Sequence, residues 1–88
     1  MAYNAKEIEE KLTLKCTSWS YIFPSIERKF LTQNFDESIR IANEIAKIAN
    51  QLNHHPELVF KHNELIIRTH THSASGITDK DFELAEKI

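Results

Sequence analysis

The stretch NFDESIRIANEIAKIANQLNHHPELVFKHNELIIRTHTH, residues 34–72, decides how this chain folds. Its first half is helical by periodicity. Phe35, Ile39, Ala42, Ala46 and Ala49 recur every three or four residues, and Ile41, Ile45, Ile48 and Leu52 make a second stripe beside them. Asn34 or Asp36 can cap the start, because a short polar side chain accepts from the free amides of a first turn. Pro56 restrains the residue before it and cannot continue a helix, so the end is expected near Asn53, with His54 and His55 at the exit. The apolar arc is wider than one sheet face requires, and Ile41, Ile45 and Ile48 are expected to meet another subunit.

The second half changes period. Residues 58–60 read as a short strand, 61–64 as a turn and 65–71 as a longer strand. Alternation puts Leu65, Ile67, Thr69 and Thr71 on one face and Ile66, Arg68, His70 and His72 on the other, so histidines gather on one side. Upstream, Ile26, Arg28 and Phe30 alternate with Glu27, Lys29 and Leu31 within residues 19–32. Two strands are expected there, broken near Pro24, which lacks the N–H that a ladder needs. Residues 4–14 carry Ala5, Ile8 and Leu12 among Glu7, Glu9, Glu10 and Lys11, an amphipathic helix with a solvated acidic face. Downstream, 73–76 is a loop and Thr78 opens a last helix containing Leu84, Ala85 and Ile88, with Thr78 and Asp81 at capping-box spacing. Helix, two strands, helix, two strands, helix predicts an α+β fold, an antiparallel sheet with helices on one face.

With 88 residues, 41% hydrophobic and 27% charged, one globular domain spanning 1–88 is expected. A domain this small buries only about 60–65% of its unfolded surface, so association with further copies is expected too. Eleven Lys and Arg against thirteen Asp and Glu give a net charge of −2. That balance offers no footprint for a nucleic-acid backbone. Cys16 is the lone cysteine, which closes internal disulfides and suits a reducing compartment. The charged N-terminus has no apolar core of a leader, and nothing approaches the ~18 apolar residues of a membrane span, so a cytoplasmic location is expected. A single glycine, Gly76, makes no phosphate-binding loop.

All five histidines lie between positions 54 and 72. Imidazole titrates near neutrality, so such a cluster can hold both a proton donor and a proton acceptor at working pH. A metal site is the alternative, with His70 and His72 on one strand face and His54 or His55 as third ligand. No carboxylate or thiolate accompanies them at a recognisable spacing, which disfavours a metal, and any single histidine here also reads as an ordinary solvated surface residue. Trp19, Phe23, Phe30 and Phe35 are read as core packing rather than as stacking platforms. Cys16 is read as a small buried apolar residue.

The string Asn53-His54-His55-Pro56-Glu57, followed by Thr71-His72, Gly76, Thr78 and Asp81, resembles the pterin-4a-carbinolamine dehydratase family. The likeness extends back through the 35–52 helix to Trp19 and forward to Leu84-Ala85. It implies a four-stranded antiparallel sheet with three helices packed on one face. It also implies a hydro-lyase that dehydrates 4a-hydroxytetrahydrobiopterin, or a related tetrahydropterin, to the quinonoid dihydropterin in pterin recycling, with no metal and no cofactor. His54, His55 and His72 would surround the pterin. His54 and His72 are expected as the acid–base pair in either order, and His55 chiefly as a substrate holder, with Glu57, Thr71 and Ser73 as further substrate contacts. Asp81 falls on a family position near the histidines, where it can cap a helix and also orient His72. Asn50 stands where the family usually has an acidic residue, and Leu58 and His62 stand where aromatics are common. The likeness further implies a homodimer or homotetramer, through a sheet edge and the 35–52 helix. A catalytically weak binding or dimerisation module is the alternative, since some members bind a transcription factor through a helical face.

Overall fold

A computed structural model describes residues 2–88. The elements in order are α1 (Ala5–Lys15), β1 (Ser20–Ile22), β2 (Ser25–Leu31), α2 (Phe35–Leu52), β3 (Glu57–Lys61), β4 (Glu64–Thr69), one tight helical turn (His72–Ala74) and α3 (Asp79–Lys87). Each helix begins at a side-chain cap. Asn4 Oδ1 accepts from Glu7 N while Glu7 Oε1 accepts from Asn4 N, both at 2.9 Å, which starts α1. Asn34, not Asp36, caps α2 through Glu37 N. At the other end Asn53 turns left-handed, φ 51°, and its N–H donates back to the Ala49 and Asn50 carbonyls.

The four strands form one antiparallel sheet in the order β1-β2-β4-β3. Its register pairs Ile26 with Thr69 and Phe30 with Leu65 across β2 and β4, and Leu58 with Ile67 across β3 and β4. Directly opposed residues share a face. The helices therefore cover the face bearing Ile26, Leu65 and Ile67, where Ile8 and Leu12 of α1, Ala42 and Ile45 of α2, and Phe82 and Ala85 of α3 complete the core. Glu27, Arg68 and Glu57 line up on the opposite, uncovered face.

Three expectations change. The buried line of α2 is Ser38, Ala42, Ile45 and Ala49, which takes members from both predicted stripes. Ile45 is only 2% exposed within its own core and is not free for a partner. The exposed apolar residues of α2 are Phe35, Ile39 and Ala46, while Ile41 and Ile48 are half-buried. Phe23 and Phe35 are not core residues, being 82% and 46% exposed, whereas Trp19 is buried. Phe23 shares a two-residue turn with Pro24, across a cis peptide bond, between paired Ile22 and Ser25, and so stands clear of both sheet faces. β4 ends at Thr69 rather than Thr71, because Thr71 pairs with Gly76 instead of continuing the ladder.

That last change shapes the loop carrying His72. Thr71 N donates to Gly76 O at 2.7 Å and Gly76 N returns to Thr71 O at 3.3 Å, which pinches the loop at its base. Ser75 takes the left-handed bend, φ 54°. Gly76 matters for close approach rather than for φ: a Cβ there would lie 3.0 Å from the Ala2 methyl, which would have to give by a few tenths of an ångström. The chain before α1 crosses this point, held by Tyr3 N to Ile77 O at 2.8 Å and by the Tyr3 hydroxyl donating to Asp79. The latter bond pushes the Tyr3 phenol up from its ordinary value. No helix among the described residues is long and apolar enough to cross a membrane.

Candidate active site

The face-specific alternation of β4 sorts the site into two layers. On the core side, Thr69 and Thr71 point at the start of α3, where Asp81 is completely buried. A buried carboxylate survives only with its oxygens satisfied. Thr69 Oγ1 donates to Asp81 Oδ1 at 2.6 Å, Thr71 Oγ1 to Oδ2 at 2.8 Å, and Thr78 N to Oδ2 at 3.0 Å. The fourth donor is His54 Nε2, 2.7 Å from Oδ1.

This donor count fixes the protons. Each threonine hydroxyl has one hydrogen, and both are spent on Asp81, so the Thr78 hydroxyl must donate to Thr71 Oγ1 across their 2.8 Å contact. In turn Thr78 Oγ1 accepts from Lys80 N. Thr69 Oγ1 can only accept from His54 Nε2, at 3.2 Å. The Nε2 hydrogen is therefore shared between two oxygens, which puts the lone pair of the ring's neutral form on Nδ1. Asp81 closes the capping box with Thr78, as the spacing predicts. The imidazole it holds is His54 and not His72.

On the uncovered side an open cleft of about 440 Å³ is lined by Ser25, His55, Pro56, Glu57, Arg68, His70 and His72. His55 Nε2 donates to Asn50 Oδ1 at 2.9 Å. Asn50 thus serves His55, one turn of chain away, rather than His54. Arg68 Nε donates to Glu27 at 2.8 Å and its Nη1 to Glu57 at 3.4 Å. The Glu27 bond raises the guanidinium pKa further above its ordinary value. The His70 and His72 rings meet edge to face, centroids 4.3 Å apart. They stay on one side even though the strand has ended, as alternation predicted.

His55, His72 and Glu57 are thus brought together in the cleft, while His54 and Asp81 lie in the layer beneath, with 12% of the His54 side chain reaching solvent. Thr71 and Ser73 line a separate shallow depression with Thr78, Asp79 and Lys80. The Thr71 hydroxyl is fully engaged by Asp81 and Thr78. His62 is an exposed turn residue. Among the described residues no three His, Cys, Asp or Glu side chains are arranged as a metal-ligand set. Sequence reasoning passed over Arg68, Ser25 and Thr69. Thr69 carried a usable signal, since two threonines on an otherwise apolar strand face need buried polar partners. Arg68 carried none, because an arginine on an open sheet face reads as ordinary surface.

The whole chain, residues 1–88, matches the family model described as pterin 4 alpha carbinolamine dehydratase. A curated protein of Sulfurisphaera tokodaii is 43% identical over 83 residues, covering 94% of this chain and 88% of that protein. One of Sulfolobus acidocaldarius is 38% identical over 88 residues, covering 100% and 96%. Both bear the name "Putative pterin-4-alpha-carbinolamine dehydratase". Among solved structures, a "transcriptional coactivator/pterin dehydratase from Brucella Melitensis" superposes with a TM-score of 0.88 at 27% identity, covering 99% of this chain and 94% of its own.

Proposed function

The chain belongs to the pterin 4 alpha carbinolamine dehydratase family, and from that premise we propose that it removes water from a 4a-hydroxytetrahydropterin by histidine acid–base catalysis. The reaction needs two proton transfers. The C4a hydroxyl takes a proton and leaves as water, while the N5 proton goes to a base and the N5–C4a double bond forms. Carbon is neither oxidised nor reduced, so the balance calls for no redox partner. Each positioned transfer contributes about 10²–10⁴-fold.

The observation that carries this reading is the lock on His54 by Asp81 and Thr69. It leaves Nδ1 as the acceptor and suits His54 to the base role. His72, exposed at the mouth of the cleft, is then the acid. His55 and Glu57 hold the pterin, one fixed by Asn50 and the other beside Arg68. Thr71 contributes through Asp81, and Ser73 can reach substrate only from the rim of the neighbouring depression. The test is the dehydration rate of 4a-hydroxytetrahydropterin, generated in situ and followed by ultraviolet absorbance, for wild type, His54→Ala and His72→Ala. Wild type should accelerate the reaction and both variants should lose the acceleration. A folded wild type no faster than buffer sinks the assignment.

A homo-oligomer is proposed alongside. Phe35 and Ile39 are exposed on α2, Phe60 is exposed beside Phe35 with ring centroids 6.0 Å apart, and β1 and β3 are free edges in the isolated chain. Self-association hides this surface. Light scattering that showed only monomer at micromolar concentration would contradict it.

A further inference from the structure

His70 is an imidazole of the cleft that the proposed acid–base pair does not use. Its ring is half-buried, and Ser25 Oγ, itself buried, lies 3.4 Å from its Nδ1. The edge of one ring meets the face of the other at His72, with an interplanar angle of 64°. The other site imidazoles are held differently. His54 is fixed through nitrogen by Asp81 and Thr69, and His55 by Asn50. Among the described residues the His72 ring makes no side-chain hydrogen bond, and its backbone sits at the first position of a single helical turn that follows a broken strand. An exposed ring in that setting has several staggered positions open to it. The His70 ring is the side-chain contact the structure gives it.

We propose that His70 is a positioning residue: backed by Ser25, its ring holds the His72 imidazole in its place over the cleft by aromatic packing. The inference rests on the reading of His72 as an acid–base group, but its contact can be tested apart from that reading. An aromatic pair of this geometry contributes a preference sufficient to bias one rotamer over its alternatives. A general acid displaced by about 1 Å can lose up to ~10²-fold in rate.

Two measurements on the full chain decide it. In ¹H–¹³C NMR spectra, the His72 ring protons should carry a ring-current shift in wild type. That shift should persist in His70→Phe, which keeps the aromatic contact, and collapse in His70→Ala. In dehydration assays His70→Ala should lose roughly 10-fold or more in kcat with KM changed less than about 3-fold. His70→Phe should recover most of the loss, and Ser25→Ala should fall between. Unchanged His72 resonances in His70→Ala overturn the proposal whether or not the protein dehydrates pterins. A His70→Phe variant as impaired as His70→Ala also overturns it, since the nitrogens of His70 would then matter rather than its ring. A wild type without dehydratase activity but with the NMR pattern intact would remove the catalytic role of His72 and leave the packing contact standing.

Discussion

The two layers of the site use the same residue types in opposite ways. Around Asp81, every hydroxyl and amide hydrogen has one destination, and the carboxylate, two threonines and His54 form a closed network with almost no solvent exposure. In the cleft, His55, Arg68 and Glu57 are tied at exposed or half-exposed positions by contacts that water competes for, and His72 is tied by a ring alone. Burial strengthens hydrogen bonds and makes broken ones costly. The buried layer therefore binds site geometry to fold stability, while the open layer is free to meet substrate and contributes little to holding the chain together. Substitutions should separate the two.

Asp81→Ala should have the largest effect. It leaves two hydroxyls, an amide and an imidazole without their acceptor, costs about 3–5 kcal/mol by analogy with half-broken buried pairs, and takes the activity with it. Chemical denaturation reads the first loss and dehydration kinetics the second. A midpoint within error of wild type would break the claim that this layer is structural. His72→Ala should do the reverse, with a roughly 10²–10⁴-fold fall in kcat and a stability change within about 0.5 kcal/mol. Thr69→Val is intermediate. It removes one hydroxyl from Asp81 and one acceptor from His54, costs about 1–2 kcal/mol, and lowers kcat through the loosened imidazole. Asn50→Ala should matter least, raising KM a few-fold at most, as expected of an exposed hydrogen bond with a modest ~1 kcal/mol contribution. An Asn50→Ala variant that lost stability would move His55 into the buried layer.

The fold was legible because the signals were local. Ile8 and Leu12, the α2 repeat, Pro56 and the alternation along β4 each announce an element, and each element is present. The capping box of Thr78 and Asp81 was legible for the same reason. Which face of α2 is buried was not, because two apolar stripes lie side by side, the bulkier Ile41, Ile45, Ile48 and Leu52 beside the alanine-rich one, and the sheet beneath takes the line between them that holds Ile45 and Ala49. The partner of Asp81 is a long-range fact. His54 and Asp81 are 27 residues apart, and it is the packing of α3 and the exit of α2 on the core face of β4, opposite His70 and His72, that brings His54 to the carboxylate. The resemblance placed three histidines in one site, but the division into a buried and an open pair of roles needed the hydrogen-bond network. Cys16 was read correctly as a core residue. Burial, with a smaller contribution from Glu86, pushes its thiol up from the ordinary value. Alkylation at mildly alkaline pH should therefore be slow in the folded chain and fast in denaturant.

The most direct test of the account pairs two readings on the same samples: the initial rate of 4a-hydroxytetrahydropterin dehydration, and the denaturation midpoint, for wild type, His72→Ala and Asp81→Ala. The account predicts a fast, stable wild type, a stable His72→Ala that has lost its rate, and an Asp81→Ala that has lost both. A folded wild type that leaves the pterin to dehydrate at the rate of buffer would contradict it.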